Sequence, residues 1–267
     1  MAAVCCCCFT HYQDVEAPDI GGELIDSHDA SHYSFTGDSM PLVEVMLPPQ
    51  QCMVGEPGAM AYFQDGIKLE SMFDDGARVD TPGCCFKSKM SCARSCSGEA
   101  MSMAHFTNET DKVRMLAFGS DTPGHIVAVN LAEVEDNVLF TMNGSFVFGA
   151  KGTRVDVVRT DCVQCCCGSG LCFQKIDGNG FVFLNGGGTV IMQELEDETH
   201  RVDPSSLLAF TKGLSVNVQK AGTFLTMCCG GEGVALTTIS GTGTYWLASS
   251  PAQEQIAYAL RFLPPKD

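Results

Sequence analysis

The chain has 267 residues, with 32 acidic side chains against 16 basic ones, a formal net charge of -16 and a pI near 4.6. That balance argues against a nucleic-acid partner, because a phosphate backbone is held by clustered Lys and Arg. No apolar run reaches the roughly 18 residues of a membrane-spanning helix, and 16 cysteines behind a start with no basic, apolar export signal read as reduced thiols in a cytosolic setting.

Residues 1–40 are acidic, with Ser, Asp, Gly and His and no sustained apolar period, and read as a flexible leader. The first basic residue is Lys68, so an Arg-rich mitochondrial transit peptide is not expected and the address reads as cytoplasmic. Cys5, Cys6, Cys7 and Cys8 stand together at an apolar tip. Several acyl chains on such a tip would be enough for stable membrane attachment, so these four are lipidation candidates for a peripheral, membrane-tethered protein. An unmodified low-complexity tip is the plainer reading.

Residues 41–267 read as a single β-repeat domain. From PLVEVML onward the pattern is short β-forming runs: HIVAVNL, VLFTM, SFVFGA, RVDVV, FVFL, TVIMQEL, LLAF and TYWLAS. Turn residues bound them, as in PGAM, FQDGI, DTPGH, MNGS, IDGNG, VDPSS and ISGTG. This spacing predicts an all-β barrel or sandwich. The final run AQEQIAYALRF, residues 252–262, fits either a short C-terminal helix or a closing strand.

The β runs repeat. At an offset of 63, Gly168, Gly170, Ile176, Gly178, Gly180 and Leu184 fall on Gly231, Gly233, Ile239, Gly241, Gly243 and Leu247. A weaker copy places Gly98 and Glu99 opposite Gly231 and Glu232, and residues 143–158 echo 204–219 at an offset of 61. One unit copied along the chain divides it at approximately 41–130, 131–195 and 196–262. Gly178, Gly180, Gly241 and Gly243 then read as turn residues with positive φ closing tight hairpins, since no dinucleotide-binding helix follows them. Glu99 and Glu232 on equivalent Gly-Glu turns read as structural carboxylates rather than an acid/base pair, because shape must recur in each copy whereas catalysis need not.

The same alignment stacks Cys165 and Cys166 on Cys228 and Cys229, with Cys96 also falling on Cys229. Thiolates converging from three copies would suit a soft metal, but only Cys162 and Cys165 have CxxC spacing, and a free thiol is a good small core hydrophobe. Packing is the preferred role. His28 and His32 lack the Glu of a zinc-protease helix, and His125 lacks a companion His-x-His. Tyr245 and Trp246 end a β run as core or subunit-contact residues. Neither a catalytic residue nor a cofactor is expected.

Four blocks in order, MLPPQQCMVGEPGAMAYFQDGIKLES, FKSKMSCARSCSGEAMSMAHF, KIDGNGFVFLNGGG and CCGGEGVALTTISGTGTYWLASS, resemble the altered-inheritance-of-mitochondria protein 24 family over about residues 42–262. That family is also described as having a tryptophan-RNA-binding-attenuator-like domain. The resemblance implies β-sandwich units of double-stranded β-helix type in pseudo-threefold arrangement, no accepted catalytic residues, and a link to mitochondrial inner-membrane organisation. The function expected is a non-enzymatic scaffold acting as a homo-oligomer with protein partners. A small-molecule or thiolate-metal binding module using a cleft between repeats is the alternative.

Overall fold

The computed structural model describes residues 33–38, 40–72, 100, 102–120, 122–157, 173–220 and 235–250. Its strands are β1 (Tyr33–Thr36), β2 (Leu42–Leu47), β3 (Cys52–Gly55), β4 (Met60–Phe63), β5 (Ile67–Met72), β6 (Met103–Asn108), β7 (Arg114–Phe118), β8 (His125–Asn130) and β9 (Val138–Met142). They continue with β10 (Phe146–Ala150), β11 (Arg154–Val157), β12 (Phe173–Asp177), β13 (Phe181–Gly186), β14 (Val190–Val202), β15 (Leu207–Thr211), β16 (Leu214–Lys220) and β17 (Ala235–Ala248). Only single 3-10 turns interrupt them, so the described chain is all-β, as its period-2 apolar runs imply. Among the described residues no helix is long and apolar enough to cross a membrane.

The strands form three antiparallel sheets, ordered β1-β2-β7-β4, β5-β6-β3-β10-β13-β8 and β11-β12-β9-β15-β17-β14, with β16 also on β17. In sequence terms, β6 lies between β5 and β3, and β7 between β4 and β2. Likewise β12 lies between β11 and β9, and β13 between β10 and β8. The long β17 does both jobs. Its first half is flanked by β16 and the end of β14, its second half by β15 and the start of β14.

Alternation drives burial. In β2, Val43, Val45 and Leu47 turn inward while their neighbours are half-buried. Three clusters result: one around Phe106, Phe118, Phe148 and Phe183, one around Leu139, Ile176 and Leu184, and one around Leu195, Leu207 and Ile239. Phe148 is stacked between Phe118 and Phe183, at centroid distances of 3.9 and 4.1 Å. Tyr245 and Trp246 are buried in these clusters. The folded body begins before residue 41, because β1 pairs with β2 and Tyr33 packs edge-on against Phe183 at 4.9 Å. An aromatic at that position turns the end of the acidic stretch into an edge strand.

The repeated glycines occupy corners rather than hairpin loops. Gly178 and Gly180, at φ 149 and 94, carry the chain from β12 in one sheet to β13 in another, and the two strands do not pair. Gly241 and Gly243, at φ 118 and 155, lie inside β17, where they bend one continuous strand opposite a register shift between Glu196 and Glu198 of β14. Sequence spacing cannot tell a reversal from a bend, since both need a backbone that L side chains avoid. Close approach explains the residue type. A Cβ on Gly178 would meet the Gly152 carbonyl at 3.0 Å, and one on Gly241 the Gly213 carbonyl at 2.5 Å. Each is the carbonyl of a Lys-Gly turn, Lys151-Gly152 or Lys212-Gly213, so the two glycines have matching surroundings. Beside the first corner, Asp177 accepts from Arg154 Nε at 2.7 Å and Lys175 Nζ at 2.9 Å.

Candidate functional site

The turn Asn143-Gly144 between β9 and β10 sits between the β3–β4 turn and the β14–β15 turn, and a depression opens on each side of it. The larger is about 280 Å³, bounded by Glu56, Pro57, Gly119, Ser120, Asn143 and Val147. The smaller is about 50 Å³, bounded by Thr122, Ser145, Asn185, Ser205 and Leu208 among others. Backbone bonds fix the walls: Glu56 N donates to Val147 O at 2.8 Å, Gly119 N to Ala59 O at 2.8 Å, and Asn185 N to Ser145 O at 2.8 Å. The buried Asn185 amide donates to Thr122 Oγ1 at 2.5 Å, while its Oδ1 has no hydrogen-bond partner among the described residues. Hydrogen-bonding groups line both hollows, among them Glu56 and Ser120 in the larger and Thr122, Ser145 and Ser205 in the smaller. The larger is near the lower limit of about 300 Å³ for small-molecule sites.

A thiol and an imidazole do meet elsewhere. Pairing of β3 with β6 brings Cys52 Sγ to 4.0 Å from His105 Nδ1, and β5 places Glu70 opposite His105. Burial pushes the Cys52 thiol up and the His105 imidazole down from their ordinary values. Both are therefore neutral near pH 7, the reverse of the thiolate–imidazolium pair of a cysteine nucleophile. The thiol points at the Met53 carbonyl, 3.4 Å away. Cys52 and His105 are far apart in sequence and meet only through strand pairing, so nothing in their spacing marks them.

Of the residues singled out from the sequence, Gly178, Gly180, Gly241 and Gly243 form the corners described above. Gly98, Glu99, Gly231, Glu232, the thiols Cys96, Cys165, Cys166, Cys228 and Cys229, the tip Cys5 to Cys8, and residues 252–262 lie outside the described residues. Among the described residues no three His, Cys, Asp or Glu side chains gather in a way that could hold a metal ion. His125 Nδ1 lies 2.6 Å from the Gly188 carbonyl, tying the start of β8 to the loop after β13.

The family model described as Mitochondrial biogenesis AIM24 matches residues 33–250. An uncharacterised protein of Streptococcus pyogenes serotype M6 is 24% identical over 232 residues, covering 84% of this chain and 87% of that one. A crystal structure of a Streptococcus pyogenes protein superposes with a TM-score of 0.64 at 22% identity, covering 87% of this chain and 99% of that one. At that identity the likeness concerns the fold.

Proposed function

The chain belongs to the Mitochondrial biogenesis AIM24 family, and from that premise we propose that it is a non-enzymatic scaffold acting through self-association and protein partners. One observation carries the reading, the recurrence of a single strand-pairing plan. Strands β2–β7 and β8–β13 each have a strand flanked as β6 is and a strand flanked as β7 is, and in β14–β17 the two halves of β17 take those two places. We read these as three copies of one β-sandwich unit, the pseudo-threefold arrangement of double-stranded β-helix type that the family resemblance implies. Copies joined through sheet edges extend a surface rather than enclose a reaction centre, and modular β edges are ready sites for further copies. The neutral Cys52–His105 pair fits a body whose polar groups serve packing.

Within this reading, Cys5 to Cys8 supply a thioester-linked membrane tether, and the family name favours a mitochondrial membrane over the plasma membrane. Light scattering of the full chain over a wide concentration range tests the scaffold. A mass of two or more chains is expected, and a single chain at every concentration refutes it. The depression of about 280 Å³ beside Asn143 favours a second reading, a small-molecule binding module.

A further inference from the structure

Two internal junctions share one geometry. At the first, β10 pairs antiparallel with β3, setting Phe148, Gly149 and Ala150 opposite Gly55, Val54 and Met53. At the second, β15 pairs antiparallel with β9, setting Ala209, Phe210 and Thr211 opposite Thr141, Phe140 and Leu139. Each joining strand has a register shift just before the junction, between Phe146 and Phe148 in β10 and between Leu207 and Ala209 in β15. The skipped residues, Val147 and Leu208, are 5% and 4% exposed.

β4 has the same shift, between Met60 and Tyr62. The residue skipped there is Ala61, and it is exposed. The end of β14 stands to β17 as β9 stands to β12: His200, Arg201 and Val202 face Ile239, Thr238 and Thr237, as Leu139, Phe140 and Thr141 face Ile176, Lys175 and Gln174. Among the described strands β4 pairs only with β7, and residues 198–202 only with β17. One half of the junction therefore lies at each end of the series, and the two halves do not pair with each other.

We propose that β4 of one copy pairs antiparallel with residues 200–202 of β14 in a second copy, completing the junction between molecules. The inference rests on the self-association reading and gives it a surface and a register. Phe63 faces Arg201 and Gln64 faces His200, the positions that Phe210 and Phe140, and Thr211 and Leu139, occupy inside the chain. Phe140 and Phe210 stack at 5.2 Å there; between copies the Arg201 guanidinium lies over the half-buried Phe63 ring, a favourable cation–aromatic contact. Ala61 becomes buried, as Val147 and Leu208 are. The two surfaces differ, so the contact is head-to-tail, and repetition yields a ring or a filament rather than a two-fold dimer.

Ala61→Glu and Arg201→Glu test this in the full chain, since both positions are exposed and each variant damages one half-junction only. By sedimentation velocity, wild type should run at two or more chains and each variant alone at the 28.5 kDa of one chain. An equimolar mixture of the two should recover a two-chain species and nothing larger, because A61E keeps an intact β14 end and R201E an intact β4. Unchanged Trp246 emission verifies that both variants are folded. Variants that keep the wild-type mass, or a mixture that stays single-chain, overturn the proposed junction while leaving the scaffold reading standing. A wild type that is single-chain throughout overturns both.

Discussion

Replacing Gly241 with Ala isolates the demand that one corner makes on the backbone. At φ 118 a methyl group would sit 2.5 Å from the Gly213 carbonyl oxygen and 3.6 Å from Leu214 Cα, both main-chain atoms that cannot rotate aside. Holding an L residue in that sparsely populated region costs about 1–3 kcal/mol, and forcing the turn away from β17 adds about 1–3 kcal/mol of overpacking. Reduced freedom of the unfolded chain returns about 0.4–1 kcal/mol, leaving a net loss of about 1–5.6 kcal/mol. Gly144→Ala is the control, because at φ 80 it also takes a positive φ but its Cβ would meet no atom of the described residues within 4 Å. It should bear only the conformational part, about 0–2.6 kcal/mol. Urea unfolding followed through Trp246, the single tryptophan, which is buried five positions along the same strand, reads both. Equal midpoints for the two variants would refute close approach as the reason for glycine at position 241.

Phe148→Ala removes the middle ring of a three-ring stack with no exposed surface and should cost about 3–5 kcal/mol; a loss below about 1 kcal/mol would mean that this core repacks freely. At Asp177, burial alone would raise the carboxyl, but hydrogen bonds and charge from Lys175 and Arg154 outweigh it and hold the group below its ordinary value. Its contribution to stability is thus present above the unfolded carboxyl pKa of about 3.9 and lost as pH falls below it. Asp177→Asn should flatten that acid limb of the unfolding midpoint, and an unchanged limb would discard the assignment. Hydroxylamine-sensitive acyl exchange should label the wild-type chain expressed in its own cells and not a variant with serine at positions 5 to 8; equal labelling would remove the tether.

The all-β character was readable because alternation and turn residues are local signals: Val43, Val45 and Leu47 announce β2, and Asn143-Gly144 announces the bend into β10. The need for glycine at 178 and 241 was also readable, since the 63-residue offset matches them. What they do there was not. Whether a positive-φ residue reverses a strand or bends it depends on the partner strand, and at β17 the shift in β14 between Glu196 and Glu198 lets the strand run on. β1 escapes a reading of the sequence because the alternation in YSFT lasts only four residues at the end of an acidic stretch, and Tyr33 gains its place from β2 and from Phe181 and Phe183 across the body. The depressions around Asn143 and the Cys52–His105 contact were illegible for the same reason. Their walls come from strands far apart in the chain, joined only once the sheets are formed.

Native mass spectrometry of the full-length chain, purified gently from its own cells, bears most directly on the scaffold. Assemblies of two or more chains, each of 28.5 kDa plus its thioester-linked acyl groups, with no non-covalently held small molecule retained are expected. A single chain carrying a bound small molecule would contradict the scaffold and make the cleft beside Asn143 the seat of function instead.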